Sequence, residues 1–386
     1  MSKVQRRGMA SLRVESKTPA ALGYTFPAEW EKHAGTWFSW PRPEGISFPD
    51  KHHTVPAVMA AIFREIAPRE TVHVNVPNGN VERIVRQQLK DAGGPTKNVV
   101  FHHIKTNENW CRDHGPAFVV NRAKKKLAVV DWGFNAWGGK YPPYADDDRV
   151  PTEIAMKLGI PVFYPEKPDA DVWPSTGCVY KRALARTGLG VIMEGGAIEV
   201  NGAGTLITTT DCLLNKNRNP DLSKEQIEQY LKDYYGQTNI LWLTGGIEGD
   251  DTDGHVDDLA RFISPTKLVM AIEPDAKDVN YKTLKSARKQ AEKLRDQDGK
   301  PFEIIELPMP RPVIHDGERL PATYINFLFV NGALLVPTFR DKKNDKKAIE
   351  ILQSHLPKHK VIGIDCYELI WGLGAIHCLS QQMPAI

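Results

Sequence analysis

Cys378 lies in the run Gly374-Ala375-Ile376-His377-Cys378-Leu379-Ser380-Gln381-Gln382, between a histidine and two amides, and reads as a candidate nucleophile. A thiol attacks as its thiolate. With a free-cysteine pKa of about 8.5, it needs nearby positive charge or oriented N–H groups to ionise at neutral pH. On sequence position alone the inert reading is favoured, because buried cysteines mostly behave as small apolar residues. A second segment, Asp250-Asp251-Thr252-Asp253-Gly254-His255-Val256-Asp257-Asp258, changes that balance by supplying a histidine and several carboxylates. On a strand, His255 and Asp257 project to one face with Asp253 in register. His377 adjoins Cys378 and in an extended chain points away from it, so His255 is the expected base.

Two further polar segments add candidates. In Asn109-Trp110-Cys111-Arg112-Asp113-His114-Gly115-Pro116, Asp113 either pairs with Arg112 and caps a turn, or stands at the lip of a pocket with Trp110 as its apolar wall. Taken alone, the turn is the stronger reading. Between Met193 and Thr210 the alternation of Ile198, Val200, Leu206 and Thr208 predicts a hairpin turned at Asn201-Gly202. Glu194, just before Gly195-Gly196, is set apart from that hairpin and is expected to face a cavity. The aspartates around His255 lack the central glycine and distal glutamate of an EF-hand loop, and no HExxH helix is present, so a metal centre is the minority reading.

The elements that must position these residues alternate in type. Val58, Ile62, Phe63 and Ile66 mark an amphipathic helix, residues 71–76 a strand, 81–92 a helix and 98–104 a strand. Later come a helix opened by Ser223 and ending near Gly236, then strands at 239–243, 267–273, 302–307 and 361–364, with helices at 281–298 and 346–356. This order predicts an α/β architecture. A doubly wound nucleotide-binding fold would require a glycine-rich loop between an early strand and helix, and none is present. Without a composition break, one domain of several similar α/β units is expected over residues 21–386, preceded by a disordered extension over 1–20.

Composition narrows the function classes. The 386 residues include 50 Lys+Arg and 47 Asp+Glu, a balance that argues against a nucleic-acid partner. Hydrophobic residues make up 41% without any run long enough to span a bilayer, so no membrane role is expected. Five cysteines without CxxC pairs indicate neither a disulfide framework nor structural zinc. A reducing, cytoplasmic setting follows, and oligomeric state stays open.

Taken together, Pro27-Ala28-Glu29-Trp30, Trp37-Phe38-Ser39-Trp40-Pro41, Trp110-Cys111-Arg112-Asp113-His114-Gly115-Pro116, Glu194-Gly195-Gly196, Asn217-Arg218-Asn219-Pro220, Gly254-His255-Val256-Asp257 and Ile376-His377-Cys378 with Gln381-Gln382 resemble the agmatine deiminase family, which includes the bacterial type of peptidylarginine deiminase. The resemblance spans about residues 23–383. It implies a five-bladed α/β propeller of pseudo-repeats around a central acidic pocket, and hydrolysis of a guanidinium to a ureido group with release of ammonia. By position, Cys378 resembles the nucleophile and His255 the general acid and base. Asp113 and Asp257 resemble the carboxylates that grip the guanidinium, with Asn326 as a supporting residue. Trp110 and Glu194 are further candidates for the substrate pocket. The substrate is then a small guanidino cation, and neither cofactor nor metal is required.

The sequence departs from the agmatine-specific pattern in three places. Arg42-Pro43-Glu44-Gly45 follows Trp40-Pro41 in place of an Asn-Trp-Arg element, Gly372-Leu373-Gly374-Ala375 replaces Gly-Gly-Gly-Asn, and Thr252-Asp253 replaces Thr-Asn. These departures bear on what reads the far end of the substrate: agmatine's amine, the carboxylate of arginine, or a peptide. An amidinotransferase, a silent binder of cationic amines and a metal hydrolase are the competing readings.

Overall fold

The computed structural model describes residues 13–167 and 190–386. Residues 1–12 of the expected extension and Cys178 lie outside the described residues. Residues 13–15 run beside the strand Val162–Phe163, with Val14 bridged to Val162 and Glu15 N donating to Val162 O at 3.1 Å.

The fold is mixed α/β. Among the described residues, five sheets of three or four strands share one internal order. In each, a first strand runs antiparallel to a second, and the second runs parallel to a third. The first strands are Ala117–Asn121, Ile198–Val200, Ala260–Ser264, Leu328–Val330 and Ser380–Pro384. Their antiparallel partners are Lys126–Val130, Thr205–Thr209, Lys267–Ile272, Ala333–Thr338 and His33–Ser39. In the last sheet the C-terminal strand therefore pairs with one from the start of the chain, and Thr71–Val76 and Val99–His103 extend it.

A parallel pair needs a long crossover, and in every sheet that crossover contains a helix. The five helices are Val55–Ile66, Val150–Leu158, Lys224–Tyr235, Asn280–Ala291 and Lys342–His355. Their sequences show why they form. In Val55–Ile66, Pro56 sits in the first turn, and Val55, Val58, Met59, Ile62, Phe63 and Ile66 recur at helical spacing and are buried. Ser223 closes a capping box with Gln226, and Gly236 takes the left-handed conformation at φ 67° that ends the helix. The expected helix over 281–298 stops at Ala291 and gives way to tight turns, with Lys293 N donating to Gln290 O at 3.0 Å and Leu294 N to Ala291 O at 3.1 Å. Asp296 then turns the chain by accepting from the N–H groups of Asp298 at 2.9 Å and Lys300 at 2.8 Å. The helix expected from 346 begins instead at Lys342, capped by Asp341.

The first strands are buried almost throughout, so they form the interior of the assembly. Each is entered through an irregular segment that carries one or more of the candidate residues. Asp113 precedes Ala117–Asn121, Glu194 precedes Ile198–Val200, His255 and Asp257 precede Ala260–Ser264, Asn326 precedes Leu328–Val330, and Cys378 precedes Ser380–Pro384. Residues spread over 265 positions of sequence thus occupy equivalent places in five repeated units. No helix among the described residues is long and apolar enough to cross a membrane.

Candidate active site

Asn326 fixes the nucleophile. Its Nδ2 donates to Cys378 Sγ at 3.0 Å, while its Oδ1 accepts from the backbone N–H groups of His377 at 3.0 Å and Cys378 at 3.3 Å. The amide of one side chain therefore holds both the thiol and the turn that presents it. Cys378 Sγ is also 3.7 Å from Asp257 Oδ2. Burial, then the charges of Asp257, Asp258 and Asp113, hold the thiol well above the ordinary cysteine pKa. Before a cation arrives, Cys378 is a thiol.

The strand expected over residues 253–257 does not form. Asp250 Oδ1 accepts from Thr252 N at 2.8 Å, Asp253 and Gly254 take positive φ of 67° and 92°, and Val256–Asp258 is a 3-10 turn. Local side-chain hydrogen bonds override the period-two pattern. Asp253 consequently leaves the site and pairs with Arg218 Nη1 at 2.7 Å and Lys140 Nζ at 2.9 Å. His255 and Asp257 stay together: His255 Nδ1 is 4.0 Å from Asp257 Oδ1 and 3.8 Å from Asp113 Oδ1. Burial opposes a charged His255, but the Asp113 carboxylate, the Cys212 side chain and Glu194 together outweigh it and lift the imidazole pKa well above 6.5.

Asp113 occupies the short helix Cys111–His114. Its Oδ1 accepts from Gly196 N and its Oδ2 from Trp137 Nε1, each at 3.0 Å. Burial raises its pKa to about 6 despite the nearby His255. Gly196 is required here, since a Cβ would lie 2.5 Å from His255 Nδ1 and 2.9 Å from Asp113 Oδ1. Glu194, expected to face the cavity, is fully buried, and its Oε1 accepts from Arg218 Nε at 2.6 Å.

Four residues given no separate role by the sequence reading complete the set. His377 is not in extended chain: the turn directs its Nδ1 to Asp257 Oδ2 at 2.6 Å and its Nε2 to Glu29 Oε2 at 2.7 Å. Burial and the charges of Arg112 and Arg261 push the His377 pKa down. Yet two carboxylate acceptors call for two N–H donors, so the group of His377, Asp257 and Glu29 shares one proton more than a neutral ring supplies. Arg261 Nη2 lies 2.9 Å from Glu29 Oε2, and its Nε lies 2.7 Å from Glu199 Oε2. Arg112 donates to Gln382 Oε1 at 2.8 Å. Although burial opposes ionisation, His377's hydrogen bond and the surrounding cations hold Asp257 below the usual carboxylate range. Arg261 offered a sequence signal, a lone charge inside the apolar run Leu259–Ile263; Glu29 and His377 become legible only once the chain is folded.

A cavity of about 230 Å³ leads to this chemistry, with Asp113 and Cys378 among its lining residues and Trp110 along its wall. Gly372 and Gly374 let the backbone meet that indole, since a Cβ on Gly374 would fall 2.5 Å from the Trp110 ring. Farther along the lining stand Trp371, Tyr141, Glu108 and Asp251, with Tyr141 hydrogen-bonded to Asp251.

Comparison with known proteins settles the relationship. The model of the Porphyromonas-type peptidyl-arginine deiminase family matches residues 25–384. The agmatine deiminase of Pseudomonas aeruginosa (strain LESB58) is 37% identical over 393 residues, covering 96% of this chain and 98% of its own. The chain belongs to the agmatine deiminase and Porphyromonas-type peptidyl-arginine deiminase family. Solved structures of this family agree. The agmatine deiminase of Enterococcus faecalis superposes with a TM-score of 0.84 at 30% identity, over 97% of this chain and 99% of its own. A cysteine-to-serine variant of the C. jejuni agmatine deiminase with substrate bound gives a TM-score of 0.79 at 30% identity, over 93% and 96%.

Proposed function

We propose that the protein is an agmatine deiminase, which hydrolyses the guanidinium of agmatine to N-carbamoylputrescine and ammonia. The observation that carries the substrate choice is the charge of the cavity. Its described lining includes Asp113, Glu108 and Asp251 but neither lysine nor arginine. A guanidinium at one end and an ammonium at the other match these carboxylates, whereas the carboxylate of arginine would meet like charge.

Asp113 and Asp257 clamp the planar guanidinium through paired, charge-assisted hydrogen bonds and turn its central carbon to Cys378. The alkyl chain lies along Trp110, and Asp251 with Glu108 receives the distal ammonium. The arriving cation offsets the carboxylate charges that suppress ionisation of Cys378, so a thiol proton leaves as substrate binds. The thiolate adds to the guanidinium carbon, giving a tetrahedral adduct. Protonated His255 donates to the departing nitrogen, the C–N bond breaks, and a thiouronium remains on Cys378. Neutral His255 then takes a proton from water as that water attacks the same carbon; the C–S bond breaks and releases the ureido product.

The five sheets are best read as blades of a five-bladed α/β propeller within one domain over residues 21–386, with the site on its axis. The common strand order and the equivalent placement of the five site segments support this. A reducing cytoplasm suits the nucleophilic thiol and the cysteines at 111, 212, 366 and 378, which are all free among the described residues. Assaying ammonia and ureido product from agmatine, arginine and a peptide ending in arginine tests the substrate assignment. The expected kcat/KM for arginine is at least about a hundredfold below that for agmatine, since unpaired like charge costs several kcal/mol. Equal turnover of arginine would overturn it.

A further inference from the structure

The imidazole of His255 belongs to a second cluster as well. Cys212, in the short helix Thr210–Leu213, and Glu194 bring a thiol and a carboxylate beside it. One donor atom from each of the three residues lies within 4.8 Å of the other two. All three are buried, Glu194 and Cys212 at 0% exposure and His255 at 1%. Among the described residues, Glu194 Oε2 lacks a hydrogen-bond partner, and the ring of His255 has only the Cys212 thiol beside it as one. A buried acceptor left in this state is costly and calls for an explanation.

The segments are also held in place independently of any ligand. Thr209 Oγ1 donates to Gly254 O at 2.5 Å, joining the Cys212 helix to the residue before His255. Arg218 grips Glu194 through Oε1 and so leaves Oε2 unengaged, while Asp253 offsets the charge of that arginine. Thiolate, imidazole and carboxylate are the donor types of a three-ligand zinc site with an open fourth position. Zinc holds sulfur at about 2.3 Å and nitrogen or oxygen at about 2.0–2.2 Å, which places neighbouring donors roughly 3.3–3.6 Å apart. The donors lie within 4.8 Å of one another, so no pair exceeds that spacing by more than about 1.5 Å.

We propose that Glu194, Cys212 and His255 form an inhibitory site for a thiophilic divalent cation such as zinc. The ion forms bonds to the Cys212 thiolate, an imidazole nitrogen of His255 and Glu194 Oε2, and the thiol proton is released to solvent. The occupied imidazole can then neither give a proton to ammonia nor take one from water. This inhibition rests on the acid–base role of His255 proposed above. Binding of the ion does not.

Cobalt(II) reports sulfur ligation directly, through a thiolate-to-metal charge-transfer band in the near ultraviolet. The full-length protein, freed of metal by chelation, is titrated with cobalt as wild type, Cys378→Ser, Cys212→Ser and Cys212→Ala, each checked for folding by circular dichroism. The band is expected in wild type and Cys378→Ser, and absent from both Cys212 variants. Because it is expected in Cys378→Ser with Cys212 intact, the test survives a Cys212 variant that fails to fold. A band lost in Cys378→Ser places the ion on the nucleophile with Asp257 and Asp258, and overturns the proposal. So does the lack of any band in wild type. With zinc, the concentration that halves each protein's own metal-free rate should rise at least about tenfold on Cys212→Ser. A metal-free wild type inactive toward agmatine would count against the deiminase reading and leave the cobalt result standing.

Discussion

Asn326 and Cys378 are joined twice, by Nδ2 donating to Sγ at 3.0 Å and by Oδ1 accepting from the Cys378 backbone N–H at 3.3 Å. One amide thus sets both the height of the sulfur and the turn beneath it. Asn326→Ala removes this frame, together with the hydrogen bonds from Nδ2 to Asp257 Oδ2 at 3.3 Å and Asp258 Oδ1 at 3.0 Å. It should lower kcat by about a hundredfold, the cost of a misplacement near 1 Å, with a smaller rise in KM because Asp257 also loses a hydrogen bond. Steady-state kinetics on agmatine check this, and an unchanged kcat would show that the thiol is positioned by other contacts.

Gly196 tests how tightly the clamp is built. The Cβ introduced by Gly196→Ala would sit 2.5 Å from His255 Nδ1 and 3.1 Å from Asp257 Oδ2. Displacing the imidazole and both carboxylates should reduce kcat/KM at least about a hundredfold in a protein that still folds. Activity together with a thermal melt distinguishes this from global unfolding.

The substrate tail should be read by Asp251. A hydrogen bond to a charged group contributes about 1.5–3 kcal/mol, so Asp251→Asn should raise KM for agmatine by roughly 10–100-fold. A butylguanidine, which lacks the distal amine, should be hydrolysed equally by both proteins. A parallel loss on both substrates would place Asp251 in a structural role.

Activity should fall on both sides of neutrality. Asp113 has a raised pKa of about 6, so it is protonated below that value and loses its grip on the cation as pH falls through it. His255, whose pKa stands well above 6.5, is protonated at neutral pH, and its donating form is lost only as pH rises through that elevated value. The kcat/KM profile should therefore have an acid limb near pH 6 that shifts when Asp113 is replaced by glutamate. An acid limb unmoved by that substitution would assign the titration elsewhere.

Much of the framework is legible in the sequence, and the exceptions share a cause. The helix from Ser223 to Gly236 carries its cap, its buried Ile227 and Leu231, and its glycine stop within fourteen residues. Residues 253–257 misled because aspartate and threonine side chains bond their own backbone, which hydropathy patterning does not register. His377, Glu29 and Arg261 form one buried charge network from positions up to 348 residues apart, and only the equivalent placement of five units joins them. The pairing of Glu194 with Arg218 lay hidden for the same reason, although both residues stood in segments recognised as functional.

The central claim is covalent chemistry at Cys378, and its most direct measurement is acid-quenched mass spectrometry during turnover of agmatine. The account predicts a transient adduct with the mass of agmatine less ammonia on the peptide containing Cys378, absent from Cys378→Ser, which should still bind agmatine without turning it over. Steady hydrolysis of agmatine by Cys378→Ser would contradict it.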